Sequence, residues 1–157
     1  MKTAGISELK QELNNLPHLQ LQELCLRLAK FKKENKELLA YLLFEARDEE
    51  AYTAMVKNEI DEGFTELPKP NIYLTKKSLR KILRITGKHI RYMGSKTAEA
   101  DLLIYFCHKI RQSGIPIQQS PVLTNLYNNQ LKKINTVIST MHEDLQYDFL
   151  KRIKEIA

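Results

Sequence analysis

The sequence contains no tryptophan, only five glycines and five prolines, and only two cysteines among its 157 residues. So few chain-breaking residues favour long helices separated by short breaks. Two cysteines do not make a disulfide framework. Cys25 and Cys107 both lie among apolar residues, so we expect buried, reduced thiols in a cytoplasmic protein, with a disulfide between them as the alternative.

Long apolar runs are absent as well. The longest, LLAYLLF at 38–44 and LLIYFC at 102–107, fall well short of the roughly 20 residues that a membrane-spanning helix needs. The first residues become amphipathic and acidic too early for a signal peptide. We therefore expect no transmembrane segment, and we expect both apolar runs to lie in buried, central helices.

The sequence also lacks the motifs that usually mark catalysis or cofactor binding. It has no glycine-rich phosphate loop, no GxSxG nucleophile motif and no HExxH zinc motif. Cys107 and His108 are adjacent, so on a helix they point about 100° apart and do not readily share one metal ion. His89 is interpreted as a solvated helix residue, with a pH-sensitive contact as the alternative. We expect no catalytic, cofactor-binding or metal-binding residues, and hence no enzyme.

Acidic residues are missing from one long stretch. Between Glu66 and Glu99 there are nine basic residues and no acid. Residues 1–67 carry 9 basic and 13 acidic residues, a net charge of −4, whereas residues 68–157 carry 16 and 6, a net charge of +10. Such a division indicates either an anionic partner for the basic half or attraction between the two halves.

The basic stretch also has the periodicity of a helix, over residues 75–93. Steps of three and four predict an inner face made of Leu79, Ile82, Leu83, Thr86 and Ile90. The same steps place five cations on another face: Lys77, Arg80, Arg84, Lys88 and Arg91. From the first to the last, these cations would extend over about 21 Å of helix. Tyr73 and Tyr92 flank them and could stack on nucleic-acid bases.

Apolar periodicity and breaking residues elsewhere predict an all-α fold of seven to eight helices in a single domain, residues 1–157. The prolines of LPKPNIY forbid a helix and predict a linker at 68–74. This linker would separate an acidic half, 1–67, from a basic half, 75–157, and Thr75 would cap the basic helix.

A shift of 64 residues aligns 26–46 with 90–110 at five identical positions. The architecture is therefore either an α–α superhelix of two related halves or an irregular helical bundle.

The opening stretch ISELKQELNNLPHLQLQELCLRLAKFKKENKELLAYLL resembles the start of uncharacterised bacterial helical proteins that are grouped as domains of unknown function. The resemblance covers about the first 65 residues and implies a bacterial all-helical protein, but it supplies no functional site. The predicted pairs of helices also resemble HEAT-type repeats, which implies a protein-binding surface.

These observations together predict a non-enzymatic helical scaffold that binds another macromolecule. We expect a protein partner or self-association, and the alternative is nucleic acid bound by the basic helix, 76–91. The predicted binding residues are Lys77, Arg80, Arg84, Lys88, Arg91 and Tyr92. If acids of the N-terminal half pair with these cations instead, the predicted surface does not exist.

Overall fold

The computed structural model describes every residue from Met1 to Ala157 and contains helices but no strand, which confirms the all-α prediction. A π-helical turn, Tyr41–Glu45, follows the third helix, and a 3₁₀ turn, Ile117–Gln119, precedes the seventh. The eight α-helices are α1 (Ile6–Asn14), α2 (His18–Phe31), α3 (Lys33–Ala40), α4 (Glu49–Thr65), α5 (Ile72–Met93), α6 (Lys96–Gln112), α7 (Pro121–Ser139) and α8 (Glu143–Lys154).

The chain divides into two compact units, Met1–Phe44 and Glu45–Ala157, which we call unit 1 and unit 2. The boundary lies in the π-helical turn and not in the predicted linker at 68–74. That linker is internal to unit 2, because the apolar face of α4 is buried and α4 packs against both α5 and α6. The expected halves, 1–67 and 75–157, are therefore not the compact units.

Unit 2 is built around α6, which packs against α4, α5, α7 and α8. Its apolar run is buried as the sequence predicted, except for the partly exposed Tyr105: Leu102 and Phe106 are 0% exposed and Leu103 is 2% exposed. The carboxyl end of the chain is fastened beside this helix. The Arg111 guanidinium donates to the carbonyl oxygens of Ile156 and Ala157, at 2.8 and 2.9 Å. The Tyr127 hydroxyl donates to the same carbonyl oxygen of Ile156.

Unit 1 has far fewer buried hydrophobic residues than unit 2. Its helices α2 and α3 pack against each other, but the only buried hydrophobic residues of the unit are Ala29 and Tyr41. The expectation of a buried run at 38–44 is wrong, because Tyr41 is its only buried residue and Leu42, Leu43 and Phe44 are 56–76% exposed. These residues fall in the π-helical turn, and three short helices offer too little surface to cover them. The two aligned segments, 26–46 and 90–110, thus differ sharply in burial.

The two cysteines are both free, as expected, but they differ in environment. Cys107 is fully buried in α6, and burial raises the pKa of its thiol to about 12. Cys25 is exposed on α2, so the prediction that it is buried is wrong. It lies on the apolar stripe of that helix, whose neighbouring members Leu24 and Leu28 are themselves 41% and 61% exposed. Cys25 is therefore the thiol that a reagent can reach in the folded chain.

The crossing of α4 over α5 depends on a glycine. A Cβ atom added at Gly63 would lie 2.7 Å from Cγ1 of Ile82, whereas one added at Gly87, within α5, would have no heavy atom within 4 Å. We expect Gly63→Ala to destabilise the protein by about 1–2 kcal/mol, because displacing Ile82 outweighs the gain in helix propensity. The matched variant Gly87→Ala should stabilise it by roughly 0.5–1 kcal/mol. Urea unfolding measures both, and stabilisation by Gly63→Ala would contradict the tight crossing.

Candidate macromolecule-binding surface

Helix α5 starts earlier than the sequence predicted. Asn71 caps it by accepting a hydrogen bond from the amide of Leu74 at 3.1 Å, so the helix begins at Ile72. Thr75, the predicted cap, is instead inside the helix and buried, where its hydroxyl donates to the carbonyl of Pro68 at 3.0 Å. The earlier start adds Tyr73 to the first turn of α5.

The inner face of α5 is the predicted one. Leu79, Ile82, Thr86 and Ile90 are all at most 7% exposed, and Leu83 beside them is partly buried. The helix continues without interruption to Gly94, whose φ of 58° ends it in the left-handed conformation that glycine adopts without strain. With the apolar positions facing the core of unit 2, the opposite side of α5 faces outward.

That outward side carries the predicted cations, and we call Lys77, Arg80, Arg84, Lys88 and Arg91 the α5 basic face. At 100° per residue, these five side chains fall within an arc of about 80°. Lys88 is half-buried, and the other four are exposed. Those four have no carboxylate oxygen within 4.0 Å, so none of them forms an ion pair in the chain.

Of the two tyrosines that the sequence places beside these cations, only Tyr73 is exposed. Tyr92 is only 8% exposed, and its ring meets that of His89 edge-on, so its inclusion among the binding residues is corrected. Tyr73 is 66% exposed and lies four residues before Lys77, in line with the basic face. The ammonium group of Lys76 lies 5.7 Å from the centre of the Tyr73 ring. Recognising Asn71 as the helix cap would have placed Tyr73 on this face from the sequence.

Two acids of α4, Asp61 and Glu59, belong to the acidic half that could pair with the basic face, but they have other partners within unit 2. Asp61 accepts from Lys109 at 2.8 Å and also from the Tyr105 hydroxyl. Burial together with the neighbouring Asp61 carboxylate raises the pKa of Tyr105 to about 12. Glu59 pairs with the imidazole of His89 at 3.0 Å, on the side of α5 that faces α4. Neither acid pairs with the four exposed cations of the basic face, Lys77, Arg80, Arg84 and Arg91.

His89 is held in a hydrogen-bonded chain rather than solvated, so that interpretation is also corrected. Its side chain is 13% exposed. The Tyr52 hydroxyl lies 2.7 Å from Nδ1, and Nε2 lies 3.0 Å from the Glu59 carboxylate. Because a carboxylate oxygen only accepts, Nε2 donates to Glu59, and Nδ1 is left to the Tyr52 hydroxyl. With both ring nitrogens occupied, the chain ties α4 to α5 and leaves the imidazole no free nitrogen for a reacting group.

An open groove of about 500 Å³ runs beside the basic face. Leu74, which is 42% exposed, and Pro68 contribute apolar surface to it. Its cationic border consists of Lys77, Arg80, Lys81 and Arg84. A groove with this lining fits a partner that presents acidic side chains next to apolar ones.

Comparisons with known proteins give no match for the chain among protein-family models, curated proteins or solved structures. No group of three or more histidine, cysteine, aspartate or glutamate side chains is arranged to hold a metal ion. None of the helices combines the length and the apolar character needed to traverse a lipid bilayer.

Proposed function

We propose that this protein acts by binding another protein, without catalysis, and that the α5 basic face contacts an acidic segment of that partner. One observation carries the proposal: Lys77, Arg80, Arg84 and Arg91 are exposed along one helix face with no carboxylate within 4.0 Å. Unpaired cations in a row raise the positive potential of a surface and attract anionic partners. The three arginines can each hold a carboxylate through two parallel hydrogen bonds.

The groove supports a protein as the partner. Protein interfaces combine an apolar centre with a polar, charged border, and the apolar surface of Leu74 and Pro68 lies beside the cations in that way. A phosphate backbone would use the cations but leave this apolar surface without a counterpart. From Lys77 to Arg91 the face extends over about 21 Å, the length of a helix of about 14 residues in the partner.

The internal positions of the titratable groups support binding rather than catalysis. The imidazole of His89 has both nitrogens engaged, and the thiol of Cys107 is fully buried with its pKa raised to about 12. A general base or a nucleophile needs a free atom in reach of a substrate. We further propose a cytoplasmic location, supported by the two unpaired cysteines.

One observation favours a second candidate, the binding of single-stranded nucleic acid. Tyr73 is exposed and lies in line with the cations of the basic face. An exposed aromatic ring beside a row of cations can stack on a base while the cations contact phosphates. This alternative uses the same residues and differs in the partner, so binding measurements separate the two.

Fluorescence anisotropy with defined probes tests the proposal. We expect a labelled peptide of alternating glutamate and leucine, about 16 residues long, to bind at low salt with a Kd of roughly 10 µM. The matched peptide with glutamine in place of glutamate should bind at least about tenfold more weakly, because the charge-assisted contacts are lost.

The same measurement with oligouridine RNA and with duplex DNA separates the two candidates. We expect both to bind more weakly than the acidic peptide. Suppose the single strand binds more tightly and the logarithm of its binding constant falls with the logarithm of the salt concentration with a slope of about −3. That result would favour nucleic acid over a protein as the partner. Absence of binding by every probe would overturn both candidates.

A further inference from the structure

Unit 1 leaves most of its large apolar residues exposed. Apart from Ala29 and Tyr41 it has no buried hydrophobic residue, whereas twelve large apolar residues between Met1 and Phe44 are at least 41% exposed. Phe31, at 78%, and Phe44, at 76%, are among the most exposed. A unit of this size rarely supplies enough core to be stable alone, and small units are commonly stabilised by a disulfide, a metal or association. With Cys25 as its only cysteine, unit 1 has no internal disulfide.

The exposed area is comparable with that of a stable protein interface. The twelve residues are on average about 65% exposed. If a fully exposed large side chain offers roughly 130 Å² of apolar surface, together they expose roughly 1,000 Å². The largest apolar patch of a typical monomer is about 300–600 Å², and a standard interface takes about 800 Å² from each partner. The summed area is therefore of the size that one chain contributes to a standard interface.

The charges of unit 1 suit a second copy better than a strongly charged partner. Residues 1–44 carry 7 basic and 5 acidic residues, a net charge of +2, so electrostatic repulsion between copies is weak. The charges are also separated along the unit. Residues 27–36 hold five basic residues and one acid, whereas α1 holds Glu8 and Glu12 and one lysine. A two-fold axis can bring the basic segment of one copy to the acidic helix of the other.

From these observations we propose that unit 1 is covered by unit 1 of a second copy, so that the protein is a homodimer joined through residues 1–44. The apolar stripe of α2, with Leu24, Cys25, Leu28 and Phe31, lies in this interface. In a two-fold dimer both chains use the same stripe, so each apolar residue on it is buried once in each chain. The α5 basic face belongs to unit 2, so this interface does not depend on the partner proposed above.

Sedimentation equilibrium of the complete chain tests the dimer. We expect a mass of twice 18.3 kDa at micromolar concentration. The double variant Leu28→Glu, Phe31→Glu should associate at least about 100-fold more weakly, because each interface would bury four unpaired carboxylates. The matched control Tyr147→Glu, Leu150→Glu changes residues of unit 2 that are 62% and 45% exposed, and it should leave the dimer unchanged.

Alkylation of Cys25 in the natural chain tests the dimer without relying on the folding of the Leu28→Glu, Phe31→Glu variant. Cys25 lies on the proposed interface, so its alkylation by a maleimide should slow as the protein concentration rises through the range in which the mass doubles. Three results would overturn the dimer: a mass of one chain at every concentration, dimers that persist in the Leu28→Glu, Phe31→Glu variant, or alkylation of Cys25 at one rate throughout. The last would mean that the stripe is left open or is covered within its own chain.

Discussion

Replacing Asp101 by asparagine is expected to lower the free energy of unfolding by about 2 kcal/mol at neutral pH. Asp101, on α6, accepts from Lys57 of α4 at 2.7 Å and from Arg152 of α8 at 2.5 Å. Its side chain is 21% exposed, so the two ion pairs are only partly screened by water. Asparagine keeps the shape but removes the charge, and it leaves two cations without their counterion. The substitution therefore weakens the ion pairs that join α6 to α4 and to α8.

The effect of this substitution should depend on pH in a defined direction. Burial alone would raise the pKa of Asp101, but the hydrogen bonds and charges of Lys57 and Arg152 hold it below its usual value of 3.8. The unfolded chain therefore binds a proton at a higher pH than the folded chain. The stabilisation is complete above the unfolded pKa and is lost as the pH falls through the folded one. The difference between the natural chain and Asp101→Asn should thus shrink below a pH of about 4.

Urea unfolding at pH 7 and at pH 3 measures both effects. Asp148→Asn is the matched control, because Asp148 is exposed on α8 and has no ion pair. This control should change the free energy of unfolding by less than about 0.5 kcal/mol at either pH. A difference for Asp101→Asn that stays constant between the two pH values would contradict the role given to its carboxylate.

Reversing the charges of Arg80 and Arg84 to glutamate is expected to weaken binding of the glutamate–leucine peptide about 100-fold. The two residues lie at the centre of the α5 basic face and border its groove. Glutamate at these positions removes two bidentate contacts and places negative charge against the carboxylates of the peptide. Anisotropy titration measures the change in Kd.

A control with the same change in net charge separates local contacts from the general field of the protein. Lys132 and Lys154, on α7 and α8, are exposed and form no ion pair. Replacing both by glutamate should weaken peptide binding by less than about threefold, through the net charge alone. Equal losses in the two double variants would show that the peptide responds to total charge and not to the α5 basic face.

The parts of the fold that the sequence predicts well are those governed by local chemistry. Helix α6 begins after Ser95, whose hydroxyl accepts from the amide of Ala98, and α7 begins at Pro121. A serine cap and a proline in the first turn are signals that the sequence itself contains. Caps and prolines act within a few residues, so their effect can be read without tertiary structure. The division of α5 into a buried and a basic face is likewise a consequence of helical periodicity alone.

Burial could not be predicted in the same way, because it depends on what surrounds a segment. The runs at 38–44 and 102–107 have similar composition, yet α6 has four helices around it and the π-helical turn has too few neighbours. The surroundings of His89 and Tyr92 differ from the predicted ones for a related reason. The Tyr52 that hydrogen-bonds to His89 is 37 residues away in the chain, and no local pattern links the two. Tyr73 is not among the predicted binding residues, and its place on the basic face follows from a helix that starts at Ile72 and not after Thr75.

The most direct test of the α5 basic face is the free energy of unfolding of the Arg80→Glu, Arg84→Glu variant, measured by urea denaturation beside the natural chain. If these cations face outward and take no part in the fold, the two values should agree within about 0.5 kcal/mol. A loss of more than about 2 kcal/mol would mean that the arginines are paired inside the molecule, and it would contradict a surface open to a partner.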